Sequence, residues 1–398
     1  MGTPPGRGGG HPCRRFRPGS GDQHGSARPG PRGERRADRN QRRRTPARRA
    51  VSQLVGRDAQ PGHARAERHR ARDLHQAPCR AAPRGGAQGP LNAEASARLL
   101  RPPSLPLRFG LWIASRALRL LGPLRYVLAD LLGMATYALT PPARRRRTAA
   151  NLRRMMPDLN IGESRRLARR CFRHFMRTSF DFVWSYAVPP HAMHRHMRAY
   201  GLEHAFAAME QTGGGIFTLV HFGSWDVAAS CAIASGLHLT TVMGPVGPDL
   251  VTRIAVWARR HQDMEVLMSD GAARGLVRAV RKGRFDAILC DLPERGATVE
   301  VDFLGGRMSF STAPAWVARL TGVPILPVDC WRHRGLYRLN IHAPILVERG
   351  DSDAEIMQRV ARSLEPMVRR EPSWWYPFGD IYNDDAAAGA SETQSRAS

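Results

Sequence analysis

The chain has 398 residues, enough for one large domain or two modest ones with a sizeable core. Its formal charge is +27, yet 60 of its 61 basic residues are arginine. The lone lysine, Lys282, has Leu276 and Arg281 where a Walker-type loop needs glycines, which excludes a P-loop nucleoside triphosphatase. Six scattered cysteines without a Cys-x-x-Cys pair exclude a zinc ribbon and a thioredoxin-type redox site, and suit a reduced chain facing the cytosol.

Residues 1–100 hold 22 Arg against 7 Asp and Glu, a net of +15, among abundant Gly and Pro and almost no apolar periodicity. Such a composition cannot bury enough surface to offset its ordering entropy, so residues 1–98 are predicted to be disordered. Three readings stand open: an arginine-rich arm for nucleic acid, a silent tail, or an over-extended gene start. The segment lacks the apolar core of a signal peptide.

Residues 99–158 are expected to form interfacial helices. Leu105–Pro141 is rich in Leu, Trp, Phe and Tyr but is broken by Arg108, Arg116, Arg119, Arg125 and Asp130. No charge-free run approaches the ~20 residues that span a bilayer. The stretch reads either as an amphipathic pair covering the core or as helices lying in a membrane interface. The run Arg144, Arg145, Arg146 and Arg147 favours the membrane, since a basic cluster beside an apolar block gains about 1 kcal/mol per residue near anionic lipid.

Residues 159–383 are expected to form the catalytic domain. Leu167, Cys171, Phe175, Met176, Phe180 and Val183 give a helical pattern after Asn160 that Pro189 and Pro190 end. Strand-like runs then follow at 215–221, 238–243, 265–268, 285–290, 299–303, 324–330 and 336–342. Helical stretches lie near 226–235, 249–261, 270–282 and 311–321, the last capped by Ser311. This alternation predicts an α/β fold with a central, mostly parallel or mixed sheet flanked by helices. Beyond residue 383 the Ala, Ser and Thr tail is expected to be disordered.

The strongest local signal is Thr218-Leu219-Val220-His221-Phe222-Gly223-Ser224-Trp225-Asp226. A strand ends on histidine, a Gly-Ser turn follows, and an aspartate opens the next helix. Both side chains then lie at the carboxyl edge of a sheet, where α/β proteins keep their ligands. Asp226 is expected to hold one imidazole nitrogen, leaving the other to take a proton from a substrate hydroxyl. A structural His–Asp pair is the plainer alternative. Asp291-Leu292-Pro293-Glu294-Arg295-Gly296 follows an apolar strand as edge loops do, and Arg307 after Gly305-Gly306 is placed to meet a phosphate. His191, His194 and His196 lack a neighbouring carboxylate or thiol and read as linker, so no metal site is expected. No Gly-x-Ser-x-Gly elbow and no Gly-x-Gly-x-x-Gly loop is present.

Together these residues resemble the lysophospholipid acyltransferase superfamily, and within it the lipid A lauroyl/myristoyl and phosphatidylinositol mannoside acyltransferases. The resemblance covers roughly residues 105–383. His221 and Asp226 match its His-x-x-x-x-Asp motif, Asn151-Leu152-Arg153-Arg154 its upstream basic segment, and Val299-Glu300-Val301-Asp302-Phe303-Leu304-Gly305 the strand after its acidic loop. Pro372-Ser373-Trp374-Trp375 matches its late Pro-x-x-Trp segment. Gly244-Pro245 stands where mannoside enzymes tend to carry Glu-Arg, so headgroup choice does not carry over.

The resemblance implies transfer of a fatty acyl chain from acyl-CoA or an acyl carrier protein to a hydroxyl of a glycolipid or phospholipid. His221 would be the general base and Asp226 its orienting partner. Amides near the 222–225 turn would stabilise the oxyanion. Gly223, Ser224, Trp225, Asp291, Glu294, Arg295 and Arg307 would contact substrate. No cofactor is implied beyond the acyl donor. The enzyme would sit peripherally or monotopically on the cytoplasmic face of the plasma (inner) membrane, against its anionic surface. Nucleic-acid binding through the arginine-rich head and a non-catalytic membrane scaffold are the alternatives from other classes; the enzyme reading expects no nucleic acid.

Overall fold

The computed structural model describes residues 93–293 and 296–383. Expectations for residues 1–92, for Glu294 and Arg295, and for 384–398 lie outside the described residues. In chain order the elements are α1 (Ala93–Leu99), α2 (Leu105–Leu120), α3 (Leu124–Leu139), α4 (Pro142–Met155), α5 (Ile161–Ser185), α6 (Pro190–Met193) and β1 (Met197–Tyr200). There follow α7 (Leu202–Thr212), β2 (Gly215–Leu219), α8 (Trp225–Ala234), β3 (Leu239–Met243), α9 (Asp249–His261), β4 (Glu265–Met268), α10 (Ala272–Arg281) and β5 (Phe285–Leu289). The last are β6 (Thr298–Phe303), β7 (Gly306–Ser311), α11 (Ala313–Thr321), β8 (Ile325–His333), β9 (Leu336–Ile341), α12 (Asp353–Arg370) and a 3₁₀ turn at Pro372–Trp374.

Seven strands form one mixed sheet in the order β1-β9-β8-β2-β5-β3-β4, and β6–β7 form a separate hairpin. Every neighbouring pair in the large sheet is parallel except β8–β9. The fold is therefore the α/β architecture expected. Strand β2 is buried at all five residues, as a central strand with both faces covered must be. Its alternating side chains feed two cores. Ile216, Val220 and Phe222 face Ile288, Leu276 and Ile356, while Phe217 and Leu219 face α8 through Val227, Ala228 and Cys231. The four described cysteines are all buried and free.

Two differences from the sequence reading have clear causes. The expected glycine turn is present at Leu304-Gly305, but it closes a hairpin: Gly306–Ser311 form β7, with Met308 and Phe310 buried while Arg307 and Ser309 point outward. Thr312 holds the N-cap position of α11 without a side-chain cap bond, and the Ser311 hydroxyl, at the end of β7, accepts from the Ala313 amide at 3.3 Å. Strand β1 is four residues long and pairs only at the sheet edge, too short to leave a period-two signature.

Helices α2 and α3 expose a broad apolar surface. Of the twenty large hydrophobic residues exposed among the described residues, twelve lie between Leu105 and Leu139, including Phe109, Trp112, Ile113, Val127, Leu131 and Leu132. The inner face of α3 is polar and buried at Arg125 and Tyr126, and Gly133 lets the helix approach α5. A Cβ there would lie 2.6 Å from the Arg173 Cα. Among the described residues no helix is long and apolar enough to cross a membrane. The four arginines sit on α4 rather than on an extended flank. Arg147 pairs with Asp380 at 2.7 Å and Arg145 lies over the Tyr137 ring, while Arg144 and Arg146 are exposed.

Candidate active site

The parallel pairing of β2 with β5 sets the geometry of the site. Its register couples residues seventy apart, from Gly215 with Phe285 to Leu219 with Leu289. Two residues past each strand end, the same offset couples His221 with Asp291. The contact is made three ways: His221 Nδ1 lies 2.8 Å from Asp291 Oδ1, and the His221 backbone N–H donates to Oδ1 and Oδ2 at 3.0 and 2.9 Å. The Asp291 side chain is 1% exposed and that of His221 31%. A buried carboxylate thus holds a partly open imidazole, and no described residue bonds Nε2.

The imidazole's carboxylate partner is therefore Asp291, and the expectation that Asp226 holds the ring is corrected. Asp226 opens α8 and receives Arg259 of α9, whose Nε and Nη2 donate at 2.7 and 3.3 Å. Burial alone would pull the Arg259 guanidinium below its ordinary range, but the charge and hydrogen bonds of Asp226 hold it above. The pair joins α8 to α9 across the end of β3. Asp291, expected to contact substrate, instead bonds the ring and the backbone N–H of His221.

The turn between His221 and Asp226 is bound from several sides. Gly223 has φ +64°, and a Cβ there would lie 2.0 Å from the Cys330 carbonyl oxygen, so glycine is required. The amides of Phe222, Gly223 and Ser224 donate to the carbonyls of Val220, Trp374 and Cys330 at 2.6, 2.8 and 2.7 Å. Of the four amides expected to serve an oxyanion, three are therefore used. The Trp225 amide, in the first turn of α8, meets no described acceptor, and Ser224 does not cap it. The Trp225 ring stands edge-on to His221 at 5.4 Å between centroids.

Beside the dyad, β2, β5 and α8 enclose an apolar cavity of about 510 Å³, counting its open mouth, walled by Phe217, Leu219, Ala228, Ala232 and Leu289. Asp226 and Arg259 form part of its wall. Strand alternation carries His221 to the face of β2 that Phe217 and Leu219 present to this space.

The chain from residue 101 to 379 matches the family model for bacterial lipid A biosynthesis acyltransferase. The chain belongs to that family. Among curated acyltransferases it is 28% identical over 180 residues to the phosphatidylinositol mannoside acyltransferase of Mycobacterium tuberculosis, spanning 44% of this chain and 57% of that one. It is 27% identical over 179 residues to the enzyme of the same name from Mycolicibacterium smegmatis, spanning 44% and 59%. The chain thus matches somewhat more than half the length of these relatives.

Other expected site residues of this acyltransferase-family chain lie elsewhere. Arg307, expected to meet a phosphate, is on β7 and pairs with Glu300 at 2.6 Å. Its hairpin is tied to α12 by Gln358 and to α4 by Arg154, which donates to the Gly305 carbonyl at 3.1 Å. Glu294 and Arg295 lie outside the described residues. The sequence reading missed Arg259, which nothing near the motif announces, and Tyr376, whose hydroxyl donates to the Gly223 carbonyl at 3.1 Å.

Proposed function

We propose that the protein is a membrane-associated acyltransferase that moves a fatty acyl group from acyl-CoA or an acyl carrier protein to a hydroxyl of a glycolipid or phospholipid. A phosphatidylinositol mannoside is the first acceptor to test, because the curated relatives carry that name. The observation that carries the reading is the His221–Asp291 pair at the sheet edge beside an apolar cavity. An imidazole with one nitrogen held by a buried carboxylate and the other open is the arrangement a general base requires.

In the proposed reaction the acceptor hydroxyl gives its proton to His221 Nε2 while its oxygen attacks the thioester carbonyl carbon. Asp291 keeps the proton on Nδ1 and stabilises the imidazolium. Negative charge on the carbonyl oxygen is met by the Trp225 amide and the positive end of α8. The carbon–sulfur bond then breaks, the thiolate takes the proton from Nε2, and the acyl ester remains on the acceptor. The acyl chain occupies the cavity between β2 and α8. Asp226 and Arg259 hold the helix end that supplies the amide. These steps close without a covalent enzyme intermediate.

Membrane association rests on the apolar outer faces of α2 and α3, supplemented by Arg144 and Arg146. A thioester donor places the reaction at the cytoplasmic face of the plasma membrane. A non-catalytic scaffold leaves the buried Asp291 carboxylate on an open imidazole without a role, and the nucleic-acid reading, which seats binding in residues 1–100, leaves that pair unexplained. The test supplies the purified full chain with acyl-CoA or acyl carrier protein and anionic vesicles containing a phosphatidylinositol mannoside, then weighs the lipid by mass spectrometry. An added acyl mass supports the proposal. Unchanged lipid with both donors and with phospholipid acceptors refutes it.

A further inference from the structure

Beneath the turn that follows His221 lies a polar cluster that the proposed chemistry does not use. Asp181, on the inner side of α5, has no exposed surface. Its Oδ1 accepts from the Tyr126 hydroxyl at 2.8 Å, and the Ser224 hydroxyl donates to its Oδ2 at 3.5 Å. The Arg125 guanidinium stands 3.7 Å away, and the Tyr337 hydroxyl 3.1 Å from that of Tyr126. One helical turn earlier, the Thr178 and Tyr376 hydroxyls both reach the Gly223 carbonyl at 3.1 Å and stand 2.7 Å apart. The turn is thus gripped from below by α5.

The cluster continues outward. Arg125 and Tyr126 belong to α3, whose opposite face exposes Leu124, Val127, Leu128, Leu131 and Leu132. Asp130, one turn along α3, accepts from Arg177 of α5 at 2.6 and 2.7 Å and also from Arg173. A buried carboxylate costs several kcal/mol unless its oxygens are paired. Apolar packing at this junction would avoid that cost, so a polar link between α3 and the catalytic turn calls for a role.

Resting on the acyltransferase reading above, we propose that Asp181 is a positioning residue that couples lipid contact to catalysis. One oxygen holds the helix that meets the bilayer and the other holds the Ser224 end of the turn carrying His221. Seating α3 on lipid fixes Tyr126, Tyr126 fixes Asp181, and Asp181 fixes the turn that aims the imidazole and the Trp225 amide.

The test compares wild type, Tyr126→Phe and Asp181→Asn full-length chains. Each is measured for turnover of an acyl-CoA with and without anionic phosphatidylglycerol vesicles, for vesicle co-sedimentation and for thermal melting. Tyr126→Phe removes one hydroxyl and keeps the ring, so it guards against loss of the fold. The expected result is vesicle-stimulated turnover in wild type. In Tyr126→Phe, vesicle binding and KM for the thioester hold while the stimulated kcat falls about tenfold; Asp181→Asn falls further, towards the ~10²-fold loss that misplacing a catalytic group by about 1 Å brings. Tyr126→Phe stimulated as strongly as wild type overturns the coupling. So does an Asp181→Asn chain that melts early but keeps the wild-type kcat, since its role is then structural. A wild type that turns over neither acyl-CoA nor an acyl carrier protein thioester, on vesicles with and without a phosphatidylinositol mannoside, overturns the acyltransferase reading itself.

Discussion

Asp291→Asn and Asp226→Asn each exchange one carboxylate for a near-isosteric amide, and the structure assigns them opposite consequences. Asp291 accepts three hydrogen bonds from His221 and, among the described residues, none from an arginine. Asparagine offers one oxygen for those donors and turns an amide NH₂ toward the others, so the imidazole loses its tautomer and its charge partner. Removing such support from a general base lowers the rate by roughly 10²–10⁴. Asp226 instead neutralises Arg259, with side chains 12% and 15% exposed. Leaving one member of a buried pair uncompensated costs roughly 3–5 kcal/mol. The amide oxygen still accepts one Arg259 N–H, which points to the lower figure, about 3 kcal/mol and roughly 6 °C or more in Tm. The assay is acyl-CoA turnover beside calorimetric melting of both variants. Asp291→Asn is expected inactive with a small melting shift, and Asp226→Asn unstable yet still measurably active at low temperature. An Asp291→Asn chain with near wild-type turnover, paired with a stable but inactive Asp226→Asn, would refute the assignment and restore Asp226 as the orienting residue.

Gly223→Ala forces a Cβ against the Cys330 carbonyl at a positive φ, and turnover is expected to fall at least tenfold in a chain that still melts cooperatively. Wild-type turnover would show that the turn yields freely. Asp286 is buried on β5 with both oxygens unpartnered; burial first and Glu265 second push its carboxyl up to about 8, with Arg284 opposing. Its folded value lies above its unfolded one, so its contribution is full below the unfolded value near 4 and lost as pH rises through about 8. Asp286→Asn should therefore gain Tm over wild type progressively between pH 5 and pH 8, and a gap independent of pH would contradict this. Leu128→Glu with Leu131→Glu, on the exposed face of α3, should abolish vesicle co-sedimentation at both low and high salt. Arg144→Gln with Arg146→Gln should weaken it only at low salt on anionic lipid, because salt screens charge but not apolar burial. Unchanged binding in both would make α2 and α3 ordinary surface helices.

The strand runs at 215–219, 239–243 and 285–289 were legible because a buried parallel strand is a short apolar block between turn residues. The apolar character of α2 and α3 was equally plain. The partner of His221 was harder to read, because five-residue spacing made Asp226 conspicuous while the actual contact spans seventy residues. The signal was present in the alignment of two strand ends, Leu219-Val220-His221 with Leu289-Cys290-Asp291, and it becomes decisive once β2 and β5 are known to be parallel neighbours. Nothing in one sequence states which strands are neighbours, since β2 lies beside β5 and β8 rather than beside β3. Arg259 and Tyr376 were hidden for the same reason: each reaches the site from a helix or segment that only the topology brings close. Arg307 misled because a glycine turn before an arginine describes a hairpin salted to Glu300 as well as it describes a phosphate cradle.

The most direct test of the central claim is acyl transfer by wild type and His221→Ala, run side by side on anionic vesicles with acyl-CoA and acyl carrier protein donors, the acceptor lipid weighed by mass spectrometry and folding checked by melting. The account predicts an acylated lipid with wild type and its loss, by roughly 10²-fold or more, in a His221→Ala chain that melts like the parent. A folded His221→Ala chain that acylates lipid at the wild-type rate would contradict it.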